Sequence, residues 1–221
     1  MSDVRGVLFD FGNTLFAHAS LADTIEASCE SLGQPRSAAW ALGIATRVQA
    51  AAHTVEELRH PRDLDMRVWH ARWNVLYALA DDEVAGLGAV VYAAMHDPLQ
   101  WQPYETSAAT LSVIHHAGIP VAVVSNTGWD VRTVFAAHHL DRFVDAFLLS
   151  YEVGVVKPAV EIYDVACTAL GVSASDCLMV GDDAGADAGA VAAGMRVLLV
   201  PARAPGSDNG VDAAARIVTG V

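Results

Sequence analysis

Asp10 follows the apolar run Val7-Leu8-Phe9 and precedes Phe11-Gly12-Asn13-Thr14-Leu15. A short apolar run closed by Gly and Asn reads as a buried strand ending in a loop. A carboxylate there is costly unless it meets a partner, and ligands collect at the carboxyl ends of strands in an open parallel sheet. Asp10 is therefore a candidate site residue, and a loop or helix-capping aspartate is the competing reading. Three further strand ends carry polar groups. Ser125-Asn126-Thr127-Gly128 offers a hydroxyl and an amide suited to oxyanion oxygens, or caps for the next helix. Lys157, just before Pro158, sits at a helix entrance, because proline favours a first helical turn; its ammonium can neutralise a phosphate or a carboxylate nucleophile, or simply be solvated. Gly181-Asp182-Asp183, with Asp187 following, needs a cation if it faces Asp10, and carboxylates with a carbonyl suit Mg²⁺. Capping of a helix from Ala184 is the alternative.

These groups need a scaffold that gathers strand ends. Residues 5–10 read as a first strand. From about Ser20 to Asp97 the apolar period is helical, with Leu21, Ile25 and Cys29 on one face and Trp69, Trp73, Leu76 and Tyr77 on another. Gly33, Pro35, Pro61 and Asp81-Asp82 divide this stretch into about four helices. After Pro103 helix and strand alternate. Helices are expected at 106–116, 130–139, 159–170, 184–193 and 211–218, and strands at 119–124, 146–149, 177–180 and 195–200. The alternation implies an α/β fold with a Rossmann-like, doubly wound parallel sheet. The expected division is a core of residues 1–17 and 98–221 and a small helical cap domain of residues 18–97.

The chain has 221 residues and a formal net charge of -13. That length suits one core domain with a smaller insert. The acidic balance argues against non-specific nucleic-acid binding, which needs basic surface, but does not exclude an anionic substrate, because a metal ion can invert the local field. Cys29, Cys167 and Cys177 are few, odd in number and without a CxxC pair. They read as buried free thiols in a reducing cytoplasm rather than a disulfide or zinc framework. No secretory leader or membrane span is expected.

The order of the four strand ends resembles the haloacid dehalogenase-like hydrolase superfamily, over nearly the whole chain. Residues 7–15, 121–126, Lys157-Pro158 and Gly181-Asp182 through Asp187 look like its four motifs, and the helical stretch lies where many members insert a cap. The resemblance implies a phosphatase that works through an aspartyl-phosphate on Asp10. Ser125 would hydrogen-bond the phosphoryl oxygens, with Asn126 and Thr14 also at the substrate, and Lys157 would hold Asp10 and the phosphate together. Mg²⁺ would be held by Asp10, the carbonyl of Gly12 and Asp182, with Asp187 or Asp183 supporting it through water. The expected partner is a small phosphorylated metabolite, sugar-phosphate-like or phosphoglycolate-like, for a monomer or homodimer.

Gly12 departs from the pattern. Phosphatases of the superfamily usually have there a second Asp that serves as general acid and then base, help typically worth ~10²–10⁴-fold. Glycine supplies a carbonyl but no proton, so either the substrate has a good leaving group or another donor acts; His18, a cap residue or water are the alternatives. The 2-haloacid dehalogenase branch is the near alternative, but its members resemble one another in a Tyr at this position and in lacking the acidic pair of the fourth motif. A phospho-ligand-binding protein with weak turnover is the other. Substrate choice is expected in the cap, which holds Arg47, Arg62, Arg67 and Arg72 with His53, His60 and His70; most of the arginines are expected to be solvated, and the Trp69/Trp73 stripe to be cap core.

Overall fold

The computed structural model describes residues 4–220; residues 1–3 and 221, at the outer ends of the expected core segments, lie outside the described residues. Strand β1 (Gly6–Phe9) is buried on both faces, as are β4 (Val121–Ser125) and β6 (Cys177–Gly181). Uninterrupted apolar runs of this kind suit the interior of a parallel sheet covered on both sides. With β5 (Ala146–Leu149) and β7 (Arg196–Leu199) they form one five-stranded sheet in the order β5-β4-β1-β6-β7, every pair parallel. The chain moves outward from β1 through β4 to β5, then returns to β6 on the other side of β1. This reversal places a crevice at the carboxyl ends of the central strands.

Alternation along β1 divides the core. Val7 and Phe9 pack with α5 (Ser107–His116), α6 (Arg132–Ala137) and α8 (Ala213–Thr219), whereas Leu8 packs with α7 (Val160–Leu170) on the opposite face. A one-residue shift of β1 would exchange these two sets, so its register is strongly specified.

Between β1 and β4 lie α1 (Leu21–Ser31), α2 (Ala38–Ala52), α3 (Met66–Tyr77) and α4 (Leu87–Met95), which share a separate apolar core around Ile25, Cys29, Ile44, Val48 and Leu87. Ser20, Ser37 and Asp65 cap the first three by accepting backbone N–H bonds. A two-stranded antiparallel ribbon, β2 (Phe16–His18) with β3 (Trp101–Pro103), joins this helical unit to the sheet at both crossings. Strands of three residues are too short to show a period, and the ribbon is not foreseen from sequence.

Two expected helices change. Residues 184–193 hold only a 3₁₀ segment, Asp187–Val191. The run contains Gly185 and Gly189 and ends at Gly194, and each interior glycine costs a helix ~1 kcal/mol against alanine. Asp183 also accepts from the N–H groups of Gly185 and Ala186, fixing a tight turn where a helix would begin. The expected 130–139 helix is the shorter α6.

Candidate active site

The sheet brings Asp10, Ser125, Asn126, Lys157, Asp182, Asp183 and Asp187 around one pocket, together with Gly12. Asp10 continues β1, and its backbone N–H donates to Val180 of β6. Its Oδ1 lies 2.6 Å from the Lys157 Nζ, which also donates to Asp187 Oδ1 at 2.7 Å. Lys157 and Asp187 are almost wholly buried. Burial opposes the Lys157 ammonium, but Asp10 and Asp187 outweigh it and raise its pKa. Burial raises the Asp10 pKa, Lys157 opposes the shift, and Asp187 adds to it.

Lys157 is held in place by Asn126. The Asn126 Oδ1 accepts from the Lys157 backbone N–H at 2.7 Å, and its Nδ2 donates to the Lys157 carbonyl at 2.9 Å. The amide expected near substrate oxygens thus ties two motif loops together. Thr14, also expected at the substrate, is fully buried, and its hydroxyl lies 3.5 Å from both Asp10 Oδ2 and Asp182 Oδ1. It stands beside the carboxylates rather than on the pocket wall. Asp187 reaches the site because position 181 is glycine: a Cβ on Gly181 would fall 2.1 Å from the Asp187 carboxylate. Asp187 Oδ2 accepts from the Asp183 N–H at 3.0 Å, which fixes its orientation.

Ligand atoms of Asp10, Asp182 and Asp187 lie within 4.8 Å of one another. Three carboxylates around a single ammonium leave unbalanced negative charge, and oxygen donors crowded in this way match a hard divalent cation. The residues present therefore fit Mg²⁺. Burial, followed by the charges of Asp10 and Asp187, pushes the Asp182 carboxyl up to about 6. Because this folded value lies above the unfolded one, the contribution of Asp182 to stability is full below the unfolded pKa of about 4 and is lost as pH rises through the folded value. Metal-free protein should accordingly lose more stability in urea between roughly pH 4 and pH 7 than Asp182→Asn does, and Mg²⁺ should reduce the difference. Parallel pH profiles for the two proteins would contradict this charge balance.

The far wall comes from the helical unit. Trp69, Trp73 and Tyr77 of α3 face the site, with Trp101 and Trp129 from the core side. The stripe expected to be cap core is core in part, since Leu76 and Tyr77 belong to the helical unit's core and Trp73 packs against it, while Trp69, Trp73 and Tyr77 also line the pocket; helical spacing identifies a shared face but not everything that face meets. Arg47 and Arg67 are exposed, as expected of the cap arginines, whereas Arg62 and Arg72 are partly buried. Arg62 and Arg72 converge on the buried Glu57, at 3.7 Å for Arg62 and in a shorter pair for Arg72, while Arg47 pairs with Glu83 at 3.0 Å. His18 has both ring nitrogens against carbonyls, of Ala19 at 3.0 Å and Ala94 at 3.1 Å.

His96, which sequence reasoning missed, lines the pocket. Its only signal was a histidine two residues before Pro98, at the return to the sheet. Its Nε2 accepts from the Trp69 indole N–H at 2.8 Å, and its Nδ1 faces the Tyr92 carbonyl at 2.7 Å. Indole is a donor only, so the ring is the neutral Nδ1–H tautomer. Burial lowers its pKa and favours that neutral form. The core loop meets this wall at Gly128, where a Cβ would lie 2.4 Å from the Trp69 Cβ. Only glycine permits so close an approach.

No helix among the described residues is long and apolar enough to cross a membrane. A profile of the family described as haloacid dehalogenase-like hydrolase matches residues 4–194. Phosphatase MT3486 of Mycobacterium tuberculosis (strain CDC 1551 / Oshkosh) is 33% identical over 59% of this chain and 57% of its own length, so the match spans little more than half of either protein. The glyceraldehyde 3-phosphate phosphatase of Methanopyrus kandleri is 26% identical over 81% of this chain and 76% of its own length. The solved structure of L-2-haloacid dehalogenase from Xanthobacter autotrophicus, with chloropropionic acid covalently bound, superposes with a TM-score of 0.68 at 20% identity, covering 99% of each chain. At that identity the likeness is one of fold. The matched profile takes in every residue of the carboxylate cluster, and the chain belongs to the haloacid dehalogenase-like hydrolase family.

Proposed function

We propose that this chain is a Mg²⁺-dependent phosphomonoester hydrolase that transfers the phosphoryl group of a small metabolite to Asp10 and then to water. The observation that carries the reading is the convergence of Asp10, Asp182 and Asp187, with ligand atoms within 4.8 Å of one another and two of the three carboxylates on one buried ammonium. An anionic ester cannot approach so acidic a site without a cation to offset the charge. Asp10, Asp182, Asp187 and the carbonyl of Gly12 would hold it; when bound, Mg²⁺ supplies charge neutralisation between the phosphate and the carboxylates.

The side chains divide the remaining work. Lys157 fixes Asp10 through Oδ1 and adds positive charge beside the phosphate. Ser125, at the end of β4, lines the pocket where its hydroxyl can donate to a phosphoryl oxygen. Asn126 keeps Lys157 in register, and Asp187 holds its ammonium from the other side. Residues 18–97 act as the cap that excludes water, with the β2–β3 ribbon as its attachment. Positioning and charge neutralisation account for most of the rate in phosphoryl transfer.

The dehalogenase reading is favoured by one observation, the apolar far wall, which would suit attack on carbon. The carboxylate cluster opposes it, since that chemistry has no use for a metal site. Phosphate release from acetyl phosphate, an aryl phosphate and sugar phosphates, with Mg²⁺ and with chelator, separates the readings. Turnover that requires the metal is the expected result. Chelator-resistant release of halide from a 2-haloacid would replace this reading with the other.

A further inference from the structure

The cavity over Asp10 has a volume of about 380 Å³ and a sharply divided lining. Its floor is the polar cluster already described. Its walls are Trp69, Trp73, Tyr77, Met95, Trp101 and Trp129. Trp73 stacks on Tyr77 with ring centroids 5.2 Å apart, and Trp101 lies 6.2 Å from Trp129. Among the described residues, Lys157 is the only lysine or arginine on this lining, and it is paired with two carboxylates. The nearby cap arginines, Arg62 and Arg72, share the single carboxylate of Glu57 and are not on the lining; Arg62 lies over the Trp73 ring, 5.0 Å from its centroid. A second anionic group on a substrate would meet aromatic rings and no cation on this lining, with neutral donors alone to offset its desolvation.

Position 12 also offers the leaving group no carboxyl. A Cβ at position 12 would stand 3.7 Å from the Trp101 ring, so an indole lies beside the place where a second carboxyl would project. His96 is the histidine of the lining, and both its nitrogens are engaged. An ester whose oxygen departs readily as an anion needs no such donor.

We propose that the pocket takes phosphate monoesters of flat, uncharged, apolar alcohols, aryl phosphates above all, and discriminates against esters that carry a second anionic group or a polyhydroxylated chain. The inference rests on the phosphohydrolase reading for the chemistry at Asp10, while the aromatic walls bear on recognition alone. In the first step an Asp10 carboxylate oxygen bonds to phosphorus, and the ester P–O bond breaks with its electron pair on the phenolic oxygen, which leaves as phenoxide. Water then adds to phosphorus, the bond to Asp10 breaks with its pair returning to the carboxylate, and both protons of that water leave with dihydrogen phosphate.

The test pairs turnover with binding. With Mg²⁺, kcat/KM is measured for ethyl, benzyl and phenyl phosphate, glucose 6-phosphate and phosphoglycolate. Benzyl and ethyl phosphate share an alkoxide leaving group, so their ratio reports ring recognition; benzyl phosphate should exceed ethyl phosphate by ~30-fold or more. Phenyl phosphate should exceed benzyl phosphate further, through its better leaving group. Calorimetry with the non-hydrolysable benzylphosphonate and methylphosphonate reads the same subsite without turnover, with the benzyl compound expected to bind at least ~10-fold tighter. Trp73→Ala should bring both ratios towards one. Equal phosphonate affinities, or glucose 6-phosphate or phosphoglycolate matching benzyl phosphate, would overturn the proposal. If no ester is turned over but benzylphosphonate is still preferred, the hydrolase reading fails and the aromatic subsite stands.

Discussion

Asp10→Asn is expected to lower kcat/KM for phosphate release by at least ~10⁴-fold while leaving the resistance of metal-free protein to urea equal or greater. The two halves of the result have one cause. Asparagine has almost the shape of aspartate but no nucleophilic carboxylate, so the first chemical step is lost. The native carboxylate is also poorly accommodated when no metal is bound: burial raises its pKa, and Asp187 adds to the shift. Removing one charge from a crowded set of three relieves that repulsion, and Lys157 keeps Asp187 as a partner at 2.7 Å. A residue conserving only structure would lose stability on replacement. Activity assays beside urea melts of the same preparations check the result, and a marked loss of stability would show Asp10 to be a structural anchor.

Lys157→Met should behave in the opposite way, losing both activity and stability. The Lys157 side chain is 3% exposed and lies between Asp10 at 2.6 Å and Asp187 at 2.7 Å. Methionine fills much of the volume but leaves two buried carboxylates facing one another. Breaking a buried pair in this way typically costs ~3–5 kcal/mol. The expected unfolding free energy in urea falls by about that amount, and Mg²⁺ recovers part of it by replacing the missing positive charge. kcat/KM should drop ~10³-fold, because Asp10 is neither oriented nor kept ionised beside an approaching anion. Full activity in a well-folded Lys157→Met protein would show that the ammonium serves folding alone.

The contrast between these variants indicates how much of the chain was readable in advance. The strands β1, β4 and β6 were legible because burial on both faces demands a continuous apolar run, and such runs are visible without any contact information. The polar residues just beyond them were legible for the same reason, since strand ends in a parallel sheet all point to one edge. Less accessible was anything fixed by a partner distant in sequence. Asn126 and Lys157 are 31 residues apart, and only the fold shows that the amide holds the backbone of the lysine. Trp69 and Trp73 share a helical face whichever surface it meets, so spacing could not distinguish a cap core from a pocket wall. His96 acquires its fixed tautomer from Trp69, 27 residues earlier. The segment after Asp183 misled for a local reason: its alanines suggest a helix, whereas its glycines and the Asp183 turn select a 3₁₀ segment.

Gly128 and Gly181 illustrate a further limit. Both lie within strand-end segments whose neighbours carried the argument, yet each marks a close approach, of Trp69 in one case and of the Asp187 carboxylate in the other. A missing side chain is informative only once its neighbour is known. The same applies to Gly12, which in sequence is the absence of an acid and in the structure faces an indole.

The most direct test of the central claim is to trap the phosphorylated enzyme. Protein with Mg²⁺ is mixed with an aryl phosphate, quenched in acid within the first turnover, digested and analysed by mass spectrometry. The account predicts one phosphoryl group on the peptide containing Asp10, formed at the rate of phenol release, absent with chelator and lost once the ester is exhausted. Turnover that proceeds with Asp10 unmodified throughout, or that survives in Asp10→Asn, would contradict it.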